Sequence, residues 1–120
     1  MVFRTKCGKM YKSFSADDGL TWETATPTTL DNPNSKIALF RRSDGPGVIL
    51  AYNPSTHSRT PLALATTVDG LTWDTFVTLE KYDKHNAFDY PTPCQVGDKI
   101  YTTFSADSHS AIKLAITNLP

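Results

Sequence analysis

The stretch Asp18-Gly19-Leu20-Thr21-Trp22 recurs later in the chain as Asp69-Gly70-Leu71-Thr72-Trp73, a shift of 51 residues. An internal repeat of about 50 residues is typical of proteins assembled from similar supersecondary units. In each copy, Asp-Gly stands between extended segments and predicts a tight hairpin turn, because glycine tolerates the positive φ that such a turn requires. Both copies are therefore predicted to be hairpin tips.

The segments around these turns are short and rich in β-branched and aromatic residues, and no helical pattern competes with them. The predicted strands cover residues 2–5, 10–16 and 22–26, then 36–42, 48–53, 62–67 and 73–79, and finally 87–94, 99–105 and 111–117. A grouping of three, four and three strands predicts a complete four-stranded propeller blade at residues 31–80, between partial blades at residues 1–30 and 81–120. We therefore predict an all-β fold, a partial β-propeller of two to three antiparallel blades in a single unit.

The composition argues against several classes of partner. Twelve Lys and Arg balance twelve Asp and Glu, so the chain has no field of one sign that would attract nucleic acid or an anionic membrane. No run of about 18 apolar residues occurs, and the first residues lack the apolar stretch of a secretory signal. Cys7 and Cys94 are far apart, and the three histidines lack the spacing of zinc ligands. We expect two unpaired thiols, no metal and no cofactor.

A sequence motif surrounds the first repeat. Residues 15–22 fit the pattern S-x-D-x-G-x-T-W at every specified position, which resembles the Asp-box, or BNR repeat, of the sialidase (neuraminidase) family. The second copy, residues 66–73, has Thr66 for the Ser and Val68 for the Asp, so a weaker local structure is expected there. The resemblance implies a structural role at hairpin tips, where side chains cap turn amides, for Ser15, Asp17, Gly19, Thr21, Trp22, Asp69, Gly70, Thr72 and Trp73.

Further segments extend the resemblance over nearly the whole chain. They are Asn32-Pro33-Asn34-Ser35, Ala51-Tyr52-Asn53-Pro54, Arg59-Thr60-Pro61-Leu62 and Phe88-Asp89-Tyr90-Pro91. In this order and at blade spacing, the chain is similar to the C-terminal part of sialidase-like domains of the BNR-repeat type. The resemblance implies a fragment of a six-bladed propeller.

The resemblance also implies a site for an acidic sugar. Three arginines surround the substrate carboxylate in the family, because the planar guanidinium group meets a carboxylate with two parallel hydrogen bonds. Arg4 and Arg59 match the second and third of these, and the first would lie upstream. Asn34, Tyr52 and Asn53 are further candidates for sugar contacts. The alternatives are an ordinary strand-edge charge for each arginine and turn formation for each asparagine.

The catalytic set implied by the family is incomplete in this chain. Retaining sialidases use a Tyr nucleophile, activated by a Glu and assisted by an Asp acid. Phe88 stands where the Tyr aligns, and Tyr90 is the nearest substitute, unless it only packs. Glu23 and Glu80 do not match the base, and Asp89 is expected to cap a turn or face solvent.

Two functions remain open. The first is a fragment of a sialidase-like glycoside hydrolase that removes terminal sialic acid, or a related acidic sugar, with retention, and that is inactive alone. The second is a non-catalytic glycan-binding or structural BNR-repeat module, in which Phe88 marks a pocket that binds without cleaving. In both, the partner is an acidic-sugar glycan, and the open edges of the first and last strands predict self-association. The site hypothesis requires Arg4 and Arg59 to converge near the hub of the sheets.

Overall fold

The computed structural model describes all 120 residues and contains ten β-strands. The first sheet contains β1 (Val2–Phe3), β2 (Lys9–Lys12) and β3 (Thr26–Asp31). The second contains β4 (Ala38–Arg41), β5 (Val48–Tyr52), β6 (Leu62–Thr67) and β7 (Asp74–Glu80). The third contains β8 (Asp89–Val96), β9 (Lys99–Ala106) and β10 (Ala111–Asn118). Strands that are consecutive within each sheet pair antiparallel. The predicted all-β, partial-propeller fold is confirmed.

The middle sheet is buried on both faces, which explains the nearly continuous apolar runs of β5 and β6. One face packs on the first sheet through a cluster of Met10, Leu30, Leu50, Tyr52, Ala63, Ala65 and Trp73. The other face packs on the third sheet, where Ile49, Ala51 and Leu64 contact Ile100. Each fully buried Leu or Ile contributes roughly 1.5–3 kcal/mol to stability. The two clusters therefore hold the three sheets face to face.

The outer face of the third sheet has no such partner. In β10, Ile112, Leu114 and Ile116 are all exposed, Ile112 by 82 %. They alternate with Lys113 along the strand, as the period of a β-strand requires. β10 pairs only with β9, and β1 only with β2, so each of these strands has one open edge. The fold contains no helical segment that would serve as a membrane span.

The third strand lies later in the chain than predicted, at Thr26–Asp31 instead of residues 22–26. Pro27 argues against a central strand, but β3 is an edge strand, where a missing N–H is tolerated. Thr28 anchors it through a buried hydrogen bond from its hydroxyl to the carbonyl of Met10, at 3.0 Å. Of the residues predicted as strand, 22–25 belong to the loop of the first Asp-box. The remaining strands differ from prediction only at their ends, most at β2, which ends at Lys12.

The first Asp-box is a network of side-chain caps. The hydroxyl of Ser15 donates to Asp17 at 2.8 Å and accepts the N–H of Gly19, also at 2.8 Å. Asp17 accepts both the N–H and the hydroxyl of Thr21, at 2.8 and 2.6 Å. Trp22 closes the turn by donating from its indole to the carbonyl of Gly19 at 3.0 Å. Gly19 has a φ of 90°, which accounts for glycine at this position.

The second Asp-box uses the same chemistry one position later than the alignment of the repeats predicts. The hydroxyl of Thr67 donates to Asp69 at 2.9 Å and accepts the N–H of Gly70 at 3.0 Å. Asp69 also accepts the N–H of Thr72 at 2.8 Å. Val68 is exposed and takes no part in these bonds. The turn still has a carboxylate, because Asp69 takes the role that the alignment assigns to position 68.

Candidate functional site

A cavity of about 380 Å³ lies where the three sheets meet. Its lining comes from the end of the first strand, the segment before β4 and the start of β8. These residues are Val2, Phe3, Arg4, Lys36, Ile37 and Tyr90. The lining thus combines two cations, one phenol and an apolar wall, and it contains no carboxylate. Such a surface suits an anion that also carries apolar or ring atoms.

Arg4 is exposed at this cavity and is only lightly held by the protein. Its Nη1 donates to the carbonyl of Asn34 at 3.3 Å, and it forms no ion pair. The turn that presents this carbonyl is fixed by Asn32, whose side chain accepts the N–H of Ser35 at 3.1 Å. Asn34 itself has a φ of 61°. Asn34, predicted as a sugar contact, therefore supports Arg4 through its backbone.

Asp89 is the only charged side chain among the 25 buried residues, with 1 % exposed. Its Oδ1 accepts Nη1 of Arg59 at 2.9 Å, and its Oδ2 lies 2.8 Å from Nε2 of His109. The expectation that Asp89 caps a turn or faces solvent is wrong. Burial of a carboxylate is tolerated here because two hydrogen-bonding partners satisfy both of its oxygens.

Arg59 lies beside Tyr90, in the loop between β5 and β6. Burial lowers the pKa of its guanidinium group, but the charge of Asp89 and hydrogen bonds with Asp89 and Tyr90 outweigh that effect and raise the pKa. The N–H of Phe88 donates to the carbonyl of Arg59 at 2.9 Å. This hydrogen bond joins the loop to the residue that precedes β8. Arg59 is thus a fixed cation next to the phenol, while Arg4 approaches the cavity from the first sheet.

Tyr90 points out of the sheet because the backbone bulges at this point. The register between β8 and β9 shifts between Asp89 and Thr92, and Tyr90 has a φ of 53° with 51 % of its surface exposed. Its ring lies 5.8 Å from the ring of His109, at an interplanar angle of 48°. Tyr90 also lines a second depression of about 240 Å³ over the open face of the third sheet. It is therefore the aromatic group most available to a ligand here.

Phe88 lies in the core, which corrects both interpretations of it. It is 3 % exposed and packs edge to face on Phe104, with ring centroids 6.1 Å apart. Phe88 lines none of the cavities, so it neither occupies a nucleophile position nor marks a binding pocket. The strand alternation assumed for Phe88 and Tyr90 fails because the bulge turns Tyr90 outward.

Tyr52 and Asn53 are also buried and do not reach the cavity, so their predicted role as sugar contacts is corrected. The hydroxyl of Tyr52 lies 2.7 Å from the hydroxyl of Thr75, within the core between the first two sheets. Nδ2 of Asn53 lies within hydrogen-bond distance of three carbonyl oxygens, those of Arg59, Pro61 and Phe88, at 3.0, 2.9 and 3.1 Å. Asn53 therefore joins the two segments that carry Arg59 and Tyr90.

Sequence reasoning missed two residues of the site. Lys36 lies just before β4 and lines the cavity, although no motif distinguishes it from other exposed lysines. His109 meets Asp89 across 20 residues of sequence, from the hairpin between β9 and β10. The one signal that could have indicated His109 is the pairing of β9 with β8 and β10. This pairing places the β9–β10 turn beside the start of β8.

Three antiparallel sheets that pack face to face around a shared cavity define an all-β protein of the propeller class. The chain belongs to the BNR repeat-like domain family, whose sequence profile matches residues 1–102. This match identifies the repeat type and is not specific to sialidases. No curated protein and no solved structure matches the chain.

Proposed function

We propose that the chain binds a carboxylate-bearing sugar of the sialic acid type, as part of a sialidase-like glycoside hydrolase. One observation carries this proposal: Arg4 and Lys36 line the same cavity as Tyr90, and neither is neutralised by a carboxylate of the protein. A ligand carboxylate would supply the missing partner, with charge-assisted hydrogen bonds to the guanidinium group of Arg4. The phenol and the apolar wall would face the sugar ring.

Arg59 has a different role from Arg4 in this proposal. One of its nitrogens is bound by Asp89, but a guanidinium group has five N–H donors in a fixed plane. Asp89 therefore orients Arg59 and leaves donors for a ligand that approaches Tyr90. The family's arginine positions, as the resemblance assigns them, would then act as one free and one preoriented cation.

The chain alone is expected to bind this sugar without cleaving it. Tyr90 is the only hydroxyl group that lines the cavity and could act as the family's nucleophile, and no Asp or Glu lines it to act as a general base or acid. Catalytic groups that act as a unit lose most of the rate when one is missing. The same observation favours the second candidate function, a non-catalytic BNR module that recognises acidic glycans.

Titration with N-acetylneuraminic acid, followed by NMR, tests the binding proposal. We expect concentration-dependent shifts for Arg4, Lys36 and Tyr90, and none with the uncharged N-acetylmannosamine. Arg4→Gln should weaken binding by about tenfold or more, because hydrogen bonds to charged groups contribute about 1.5–3 kcal/mol. Arg41→Gln is the matched control, since Arg41 is exposed and lines no cavity. Equal shifts with the neutral sugar would contradict a carboxylate site.

A fluorogenic sialoside tests whether this chain alone retains any turnover. Turnover that is lost in Tyr90→Phe would favour the hydrolase, with the phenolic oxygen as nucleophile. Binding without turnover is the result expected for this chain alone under both candidate functions. Absence of both binding and turnover would reject the acidic-sugar proposal.

A further inference from the structure

One buried carboxylate holds both neighbours of Tyr90. Asp89 binds Arg59 through one oxygen and His109 through the other, at 2.9 and 2.8 Å. Arg59 comes from the β5–β6 loop of the middle sheet, and His109 from the β9–β10 hairpin of the third. Because Asp89 directly precedes Tyr90, these two contacts fix the surroundings of the phenol from two different sheets.

The contact between His109 and Tyr90 restricts a side chain that is otherwise half exposed. Their ring centroids are 5.8 Å apart, which lies within the range of favourable aromatic pairs. Tyr90 also lines the cavity, together with Arg4 and Lys36. Without the imidazole, the phenol would lose this packing contact and would sample more rotamers.

The hairpin that delivers His109 has an unusual backbone. Asp107, Ser108 and His109 have φ values of 50°, 54° and 71°, three consecutive non-glycine residues in the left-handed region. Asn86 stabilises this conformation, since its side chain donates to the carboxylate of Asp107 at 2.9 Å and accepts the N–H of Asp107 at 2.8 Å. Residues held in such regions by their surroundings cluster at functional sites. Here the conformation brings the imidazole to Asp89.

We propose that His109 is a positioning residue for Tyr90: together with Asp89 and Arg59, it holds the phenol at the wall of the cavity. The proposal rests on the function proposed above, in which this cavity binds an acidic sugar. His109 does not line the cavity, so it acts on the ligand only through Tyr90. Removal of the imidazole should therefore weaken sugar binding only in a chain that retains Tyr90.

A double-mutant cycle tests this dependence. N-acetylneuraminic acid is titrated into the unmodified chain, Tyr90→Ala, His109→Ala and the variant with both changes. We expect His109→Ala to weaken binding about fivefold, as the loss of one aromatic pair predicts. The double variant should bind no more weakly than Tyr90→Ala alone. The proposal would be overturned if the two substitutions weakened binding by independent factors that multiply in the double variant. Full affinity for the sugar in His109→Ala would also overturn it.

A second measurement needs no ligand and keeps the two proposals separate. The ring signal of Tyr90 is identified in a spectrum of the ¹³C-tyrosine-labelled chain by its loss in Tyr90→Phe. His109→Ala should shift this signal, whereas His57→Ala, which removes another exposed loop histidine, should leave it in place. A Tyr90 signal that does not respond to His109→Ala overturns the positioning role. A shifted signal with no sugar binding retains the positioning role and rejects the acidic-sugar function.

Discussion

Asp89 shows how one side chain can determine the geometry of a site. Its carboxylate is buried, while both of its partners, Arg59 and His109, remain partly exposed. Placing a charge in a protein interior is unfavourable unless hydrogen bonds replace those lost to water. The arrangement therefore couples the stability of the fold to the orientation of the groups around Tyr90.

Asp89→Asn should destabilise the chain by about 2 kcal/mol or more. Removing one partner of a buried ion pair leaves the other charge without its counterion and typically costs several kcal/mol, and partial exposure of Arg59 reduces that cost. Urea unfolding measures the change. Asp44→Asn is the control, because Asp44 pairs with Arg42 at the surface, and it should have a smaller effect. Equal effects of the two substitutions would contradict a special role for burial.

The sequence predicted part of this site at the level of residues. Arg4, Arg59 and Tyr90 were selected through their motifs, and the structure places Arg4 and Tyr90 at one cavity with Arg59 beside Tyr90. The roles of Asp89 and His109 depend on a bulge and on a hairpin with left-handed residues. None of the positive-φ residues of these two features is a glycine, so the pattern did not reveal their backbone conformation.

Among the turns, the two Asp-boxes predict a specific dependence of stability on pH. Hydrogen bonds from Thr21 lower the pKa of Asp17 to about 2, and backbone hydrogen bonds from Thr72 lower that of Asp69 to about 2. The ordinary value for aspartate is about 4. Since the folded-state pKa values are depressed, the stabilisation is fully present above about pH 4 and is lost as the pH falls toward 2.

Urea unfolding between pH 5 and pH 2, a range of about three units around the ordinary pKa of aspartate, should show this loss. The Asp17→Asn and Asp69→Asn variants should each lose less stability on acidification than the unmodified chain, because each lacks one of the titrating groups. Asp44, whose pKa is lowered to about 2 by Arg42, contributes in the same direction and remains in both variants. A pH dependence that is unchanged in both variants would contradict the role assigned to the boxes.

The β4–β5 hairpin provides a matched pair of glycines. Gly47 has a φ of 106°, and an added Cβ would lie 2.6 Å from the carbonyl oxygen of Thr67. Gly47→Ala should therefore destabilise the chain by about 2 kcal/mol or more. Gly45 has no heavy atom within 4 Å of an added Cβ, so Gly45→Ala should change stability by no more than about 0.5 kcal/mol. Thermal unfolding compares the two variants.

Strands were predictable where apolar runs stand between clear turns. β6 lies at the predicted residues 62–67 because its apolar residues follow Pro61 and end at the Asp-box. β3 was misplaced because the Thr-rich segment after Trp22 has strong strand propensity, while Pro27 argued against a strand. Tertiary contacts decided otherwise, since Leu30 is needed in the cluster that joins the first two sheets.

On the scale of the whole molecule, the open edge of β10 leads us to expect self-association. Edge strands expose unpaired backbone groups, and here Ile112, Leu114 and Ile116 add an exposed apolar face. Two copies that pair their β10 strands about a two-fold axis would complete the hydrogen bonding of both β10 edges and join the two apolar faces into one continuous surface. Association through β10 is thus a prediction about this chain and a second copy of it.

Sedimentation velocity at rising concentration tests this prediction. We expect a dimer that is lost in the Leu114→Lys variant, because a charge on an edge strand opposes pairing. Leu20→Lys is the control, since Leu20 is equally apolar and lies exposed in the first Asp-box. A monomer at all concentrations, or equal loss of dimer in both variants, would reject association through β10.

The buried amide of Asn53 has a further consequence for how the molecule moves. Because this one group reaches the carbonyl oxygens of Arg59, Pro61 and Phe88, it ties the loop after β5 to the segment before β8, alongside the direct hydrogen bond from Phe88 to Arg59. Fluctuations of the loop after β5 would then be shared by the start of β8, and they would reach the cavity through Tyr90.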